Sequence, residues 1–254
     1  MRTLEGKIAV VTGGARGLGV AYVGALAAAG AHVVVADIED GAPLARQLSA
    51  AHHGVTVSAS RTDVSDESAV RSFVDAVVAR HGRIDILVNN AAIFSSLDAV
   101  DTDQLDLELW DRVMAVNIRG PFLMCKHVAP VMKRQKGGKV INISSGVAYK
   151  GMPRMLHYAT SKGAMLAFTR SLARELGDWN INVNTLAPGL ILSDSIAANA
   201  KHIEDFRGPV IASRALKRDG YPRDLVGTLL FLASDASDFI TGQTIAVDGG
   251  SVNT

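Results

Sequence analysis

Thr12-Gly13-Gly14-Ala15-Arg16-Gly17-Leu18-Gly19 decides the reading of this chain because of what flanks it. Before it, Ile8–Val11 is a short β-branched run; after it, Leu18–Ala29 carries apolar residues at helical spacing and stops at Gly30. His32–Asp37 is the next β-branched run, so the octapeptide is the turn of a β-α-β unit. Glycines let a backbone approach a ligand closely, and the free N–H groups and positive end of the following helix suit a pyrophosphate. The spacing departs from G-x-G-x-x-G, since position 22 is Tyr, so placement after a strand carries more weight than the pattern.

Working outward, the alternation repeats. Val55–Ser60, Ile84–Asn89, Lys139–Ser144, Ile181–Leu186 and Thr244–Asp248 read as strands, and Glu67–His81, Leu109–Arg134, Tyr158–Gly177 and Arg223–Ala233 as helices. Parallel neighbours need crossover connections, so seven strands alternating with helices predict an α/β fold. The expected arrangement is a mostly parallel, seven-stranded sheet with helices on both faces. No linker, low-complexity tract or repeat interrupts the pattern, so residues 1–254 are expected to form a single domain. In such sheets ligands sit beyond the carboxyl ends of the strands, which puts the chemistry in the residues just after each strand.

Composition narrows the partners. A 48% hydrophobic content with 20% charged residues supports a large core rather than disorder. The net charge of +1, with Lys and Arg dispersed, gives no footprint for nucleic acid or an anionic bilayer. No apolar run approaches the roughly 20 residues that span a membrane and no leader pattern precedes Ile8, so a cytoplasmic location is expected. The one cysteine, Cys125, lies in an apolar helical stretch and reads as a buried, inert thiol. The seven histidines show no metal-ligand spacing, so no metal is expected.

Two segments carry the chemistry. Asp37 ends the second strand, where a carboxylate accepts hydrogen bonds from an adenosine ribose and repels a 2′-phosphate, favouring NAD over NADP; Arg16 in the turn is the competing basic group. Asp37 also suits a helix N-cap, a role compatible with the first. Tyr158 and Lys162, four apart near a helix start, project from one face and can share a ligand. An ammonium about 4 Å from the phenol is worth roughly 4 kcal/mol at an effective dielectric of ~20, enough to pull a pKa near ~10 toward working pH. Ser145, at a strand end, offers a second donor for a substrate oxygen, and Asn117, in the preceding long helix, can fix a water or backbone carbonyl that links to Lys162.

These residues together resemble the short-chain dehydrogenase/reductase family over about Lys7 to Gly250. The shared motifs are the Thr12–Gly19 turn, Asp63-Val64, Asn89-Asn90-Ala91, Asn117, Ser145, Tyr158-x-x-x-Lys162 and Pro188-Gly189. The resemblance implies a Rossmann-like, doubly wound, seven-stranded parallel sheet and an NAD(H)-dependent oxidoreductase that exchanges a hydride between nicotinamide and a small-molecule secondary alcohol or ketone, with Asn117, Ser145, Tyr158 and Lys162 as its catalytic tetrad. It implies cofactor contacts from Gly13, Arg16, Gly17, Leu18, Gly19, Asp37, Ile38, Asp63, Val64, Asn90, Ala91, Ala92, Tyr158, Lys162, Pro188, Gly189, Ile191 and Ser193. Two positions depart from the family pattern: Ala92 stands where Gly is usual, and Ser193 where Thr is usual.

Phe94, Val147, Met155, His157 and Leu190, with Ser145, are expected around the substrate in a largely apolar pocket, which Tyr149, Met152 and Ile196 flank. By the same resemblance, residues 194–218 form a substrate lid, and the long helices and the C-terminal segment build a homotetramer. The alternative enzyme is an NADPH-type 3-oxoacyl-thioester reductase, which Asp37 disfavours; the alternative of another class is a catalytically silent NAD-binding scaffold.

Overall fold

Strand β1 (Ile8–Thr12) shows in miniature how the sheet is covered, for its side chains alternate between two apolar layers. Ala9 and Val11 join one buried cluster, Ile8 and Val10 the other. The computed structural model describes residues 3–252. Residues 1, 2, 253 and 254, which the single-domain expectation includes, and the side chains of residues 201 and 202 lie outside the described residues.

From β1 the chain runs through helix α1 (Leu18–Ala28), β2 (His32–Asp37), α2 (Ala42–Ala51), β3 (Val57–Arg61), α3 (Glu67–His81) and β4 (Ile86–Asn89). It continues through α4 (Leu107–Met114), α5 (Gly120–Gln135), β5 (Gly138–Ile143), α6 (Val147–Lys150), α7 (Leu156–Leu176) and β6 (Ile181–Pro188). The last elements are α8 (Asp194–Ala197), α9 (Ala200–Ser213), α10 (Arg223–Ala233) and β7 (Thr244–Val247). The seven strands form one parallel sheet in the order β3-β2-β1-β4-β5-β6-β7. Helices α1 and α10 cover one face through Tyr22, Leu26, Leu225 and Leu229; α3, α5 and α7 cover the other through Phe73, Met124, Val128 and Leu176. The order reverses between β1 and β4, and a crevice opens there at the carboxyl edge.

The differences from the sequence expectation have local causes. Strand β3 starts at Val57, not Val55, because the Val55 amide is turned back onto the His52 carbonyl at 3.1 Å. Strand β4 starts at Ile86, not Ile84, whose amide goes to the Gln135 side chain at 2.9 Å. Helix α2 is short and shallowly seated, with only Ala45 buried and Leu48 packed on the core. It also moves the helix start away from Asp37: the Ala42 amide is met by Asp40 at 2.9 Å.

The expected single helix over Leu109–Arg134 is instead α4, a π-helical turn at Ala115–Arg119, and α5. Pro121 lacks an N–H, so the Asn117 carbonyl four residues earlier loses its ordinary α-helical donor, and the helix widens there. This turn carries Asn117. Segment 194–218, where the sequence shows only weak helical signals, contains α8 and α9. Among the described residues no helix is long and apolar enough to cross a membrane.

Candidate active site

The turn between β1 and α1 is held open by its glycines. Gly13 (φ 62°) and Gly17 (φ 57°) adopt left-handed backbone conformations that L side chains rarely adopt. A Cβ at Gly13 would stand 2.7 Å from the Ala91 Cα, and one at Gly19 only 2.0 Å from the Gly13 carbonyl oxygen. Gly19 therefore packs the turn against itself and does not line the cavity beyond it. Thr12 fixes the neighbouring loop: its hydroxyl accepts the Asn90 and Ala91 amides, both at 3.0 Å, while the Asn90 side chain donates to the Thr12 and Gly13 carbonyls at 2.9 and 2.7 Å. The only hint of that anchoring in the sequence is a hydroxyl placed just before the first glycine.

Beyond this turn lies a cavity of about 870 Å³ that takes in the carboxyl ends of β1, β2, β4, β5 and β6. Gly13, Arg16, Gly17, Leu18, Asp37, Ile38, Asp63 and Val64 line one end of it. Asn90, Ala91, Ala92, Pro188, Gly189, Ile191 and Ser193 line the middle, and Ser145, Tyr158 and Lys162 the other end.

These residues fit a dinucleotide. Helix α1 has no side-chain cap and no acidic residue in its first turn, so its leading N–H groups and positive end remain available to phosphate. The Asp37 carboxylate is 94% buried and held by the Ala15 amide at 2.9 Å and the Glu39 amide at 3.0 Å, which aims it at the end of β2. Arg16 is exposed. Asp63 is drawn into its own turn, accepting the Ser65 amide and hydroxyl at 2.8 and 2.7 Å.

At the other end Tyr158, from the first turn of α7, is buried and stacks on Phe94 with centroids 4.4 Å apart. Ser145, beyond β5, lies beside the phenol, its hydroxyl donating to the Pro188 carbonyl at 3.4 Å. Lys162 is buried on the same face, its ammonium 5.8 Å from the phenol ring centroid and donating to the Ile143 carbonyl at 2.9 Å. Burial pushes the Tyr158 pKa up to about 12, only partly offset by the neighbouring Ser145 hydroxyl, and brings Lys162 down to about 8. Spacing alone favours an ammonium that makes the phenol acidic; in the buried pair, desolvation instead raises the phenol and lowers the ammonium.

Asn117 is buried, its side chain set between the loop after β4 and α7. Its oxygen accepts the Ile93 amide at 2.8 Å, and its nitrogen donates to the Ile93 carbonyl at 3.2 Å and to the Ser161 hydroxyl at 3.0 Å. It pins the loop after β4 against α7.

Phe94, Val147 and Leu190 line the cavity as expected, but Met155 and His157 do not. Both are completely buried: Met155 packs behind Tyr158 with Leu97 and Val113, and burial holds the His157 imidazole below its usual pKa. Sequence reasoning missed Arg154, Phe206 and Val210, which also line the cavity; the last two come from α9. Cys125 is buried against Asn89, with its thiol pushed up to about 12 by desolvation. Among the described residues no cluster of His, Cys, Asp or Glu could hold a metal ion.

The family model described as enoyl-(acyl carrier protein) reductase matches residues 13–252. A 2-dehydro-3-deoxy-D-gluconate 5-dehydrogenase of Dickeya dadantii (strain 3937) is 38% identical over 248 residues, covering 97% of this chain and 96% of its own. A 3-oxoacyl-[acyl-carrier-protein] reductase of Thermotoga maritima is 37% identical, covering 98% and 99%. A crystal structure from Beutenbergia cavernae with NADP bound at low occupancy superposes with a TM-score of 0.90 at 31% identity, covering 98% of each chain. Glycine turn, sheet order, tyrosine–lysine pair and full-length similarity agree, and this chain belongs to the short-chain dehydrogenase/reductase family, as an oxidoreductase of the alcohol and ketone type.

Proposed function

We propose that the protein is an NAD(H)-dependent oxidoreductase that moves a hydride between nicotinamide and a secondary alcohol or ketone, with Tyr158 as acid and base. One observation carries the reading: a single cavity joins the Asp37 carboxylate and the glycine turn at one end to Ser145, Tyr158 and Lys162 at the other. Gly13, Gly17 and the first turn of α1 hold the pyrophosphate, Asp37 the adenosine ribose, and Lys162 the nicotinamide ribose.

A bound dinucleotide supplies the ring that accepts or gives the hydride and, when oxidised, a positive charge beside the phenol. In the oxidation direction Ser145 donates a hydrogen bond to the substrate oxygen while Tyr158, as phenolate, takes its proton. The C–H bond of the same carbon breaks with its electron pair leaving as hydride, and the carbonyl forms. In reduction Tyr158 returns the proton to the oxygen. Lys162 holds positive charge near the phenol, and Asn117 keeps the Ile93 loop and α7 in register so that the site does not open.

Cofactor choice tests the Asp37 half of this reading. A carboxylate facing a 2′-phosphate at about 5 Å costs roughly 3 kcal/mol at an effective dielectric of ~20, so kcat/KM is expected to favour NAD over NADP by about 10²-fold. Asp37→Ser should bring the two within about tenfold, mainly by relieving the repulsion that NADP meets. Equal use of both cofactors by the unaltered protein contradicts the assignment of Asp37. Faster turnover of acyl thioesters with NADPH selects the thioester-reductase reading, and cofactor binding without turnover on a broad alcohol and ketone panel selects the scaffold.

A further inference from the structure

We infer that the substrate is a ring-bearing, largely apolar ketone or its secondary alcohol, and that Phe94 and Phe206 select it over polyhydroxylated chains. The inference deepens the proposed hydride transfer and rests on it. The argument starts at the phenol. Phe94 lies face to face with Tyr158 at 4.4 Å, so an aromatic surface stands directly beside the oxygen that exchanges the proton. Val147 from α6, Met152 from the loop before α7, Leu190 beyond β6 and Phe206 from α9 continue that surface around the cavity. Phe94, Val147, Met152 and Phe206 pack on one buried cluster with Leu97, Val113, Met155 and Tyr158, so the wall is anchored.

Of the charged side chains that line this half besides Lys162, Arg112, Lys150, Arg154 and Asp205 are exposed, and Asp248 is buried, its Oδ1 accepting the Gly250 and Ser251 amides at 3.0 and 3.1 Å. Two of the exposed four are engaged elsewhere. Lys150 donates to the Ser251 and Ser213 hydroxyls at 2.6 and 3.3 Å, and Arg154 donates to the Ala99 carbonyl at 3.2 Å and lies 3.4 Å from Asp101. A chain with several hydroxyls needs a partner for each hydroxyl removed from water, and the wall made by these five apolar residues gives none. A flat ring instead meets aromatic faces suited to offset or edge-on contact, with Ser145 and Tyr158 left for its one reacting oxygen.

The test compares acetophenone and cyclohexanone with an open-chain keto-sugar acid, each reduced with NADH. Binding of NADH is followed by its fluorescence. The apolar ketones are expected to exceed the keto-sugar acid in kcat/KM by about 10²-fold or more. Phe206→Asn, on α9 and outside the catalytic constellation, should raise KM for acetophenone by roughly tenfold or more with kcat and NADH affinity little changed, and should narrow the preference. Phe94→Asn is the companion variant at the phenol and should narrow the same ratio. Preference for the keto-sugar acid, or a ratio unmoved by both variants, overturns the inference and leaves hydride transfer standing. Bound NADH with no turnover of either class overturns the hydride-transfer reading and the inference with it.

Discussion

Tyr158→Phe is expected to lower kcat by about 10³-fold while holding NAD affinity within roughly threefold, the size of effect that a positioned acid or base contributes. The reason is geometric as well as chemical. The phenol is buried in the first turn of α7, stacked on Phe94 and beside Ser145, and phenylalanine keeps the ring and its packing while removing the one proton-carrying atom. The cofactor half of the cavity, built on the glycine turn and Asp37, is untouched. Steady-state kinetics with NADH binding by fluorescence checks both parts. A Phe variant within tenfold of the parent activity would falsify Tyr158 as the proton carrier.

Lys162→Met should cost activity and gain stability. Activity should fall by roughly 10²-fold or more, because the phenol loses the buried cation that helps hold a phenolate. Stability moves the other way. Lys162 has a pKa of about 8 in the fold, against 10.5 for the free group. Below pH 8 both folded and unfolded states carry the proton, and the full penalty of burying the charge stands, about 3 kcal/mol. Between pH 8 and 10.5 the unfolded chain binds the extra proton, so stability rises with pH across that window. Methionine removes the penalty and loses the hydrogen bond to the Ile143 carbonyl, worth about 1 kcal/mol, for a net gain of about 2 kcal/mol. For a chain of this size that raises Tm at pH 7 by roughly 4–8 °C, with the difference from the parent shrinking as pH approaches 10.5. Calorimetry across pH checks it; a Met variant less stable at pH 7 contradicts the buried charge.

The coarse fold is written in periodicity. β-Branched runs at Ile8–Val11 and His32–Asp37 with an apolar helix between them announce parallel pairing, and the sheet follows that pattern from β3 to β7. What periodicity misses is decided by single hydrogen bonds. The turned-back amide of Val55, the Gln135 side chain on Ile84 and the missing N–H of Pro121 each move or break an element without disturbing the apolar pattern.

The candidate site divides the same way. Spacing puts Tyr158 and Lys162 on one face of α7, but depth and the Ile143 carbonyl decide where the ammonium goes, and neither is visible in a four-residue interval. Proximity in sequence also puts His157 and Met155 beside the phenol, whereas the turn of the helix sends both into the interior. Phe206 and Val210 reach the cavity from α9, about 50 residues away in sequence from Tyr158, through packing that no local pattern encodes.

The central claim is that Tyr158, held near 12 by burial in the protein alone, becomes ionisable in the working range once an oxidised nicotinamide adds its positive charge to that of Lys162. Ultraviolet difference titration of the tyrosinate band measures this, with Tyr158→Phe subtracted to isolate one of the four tyrosines. The account predicts that adding NAD moves the Tyr158 transition down by several pH units, and that Lys162→Met removes most of the move. A transition that stays near 12 with NAD bound contradicts it.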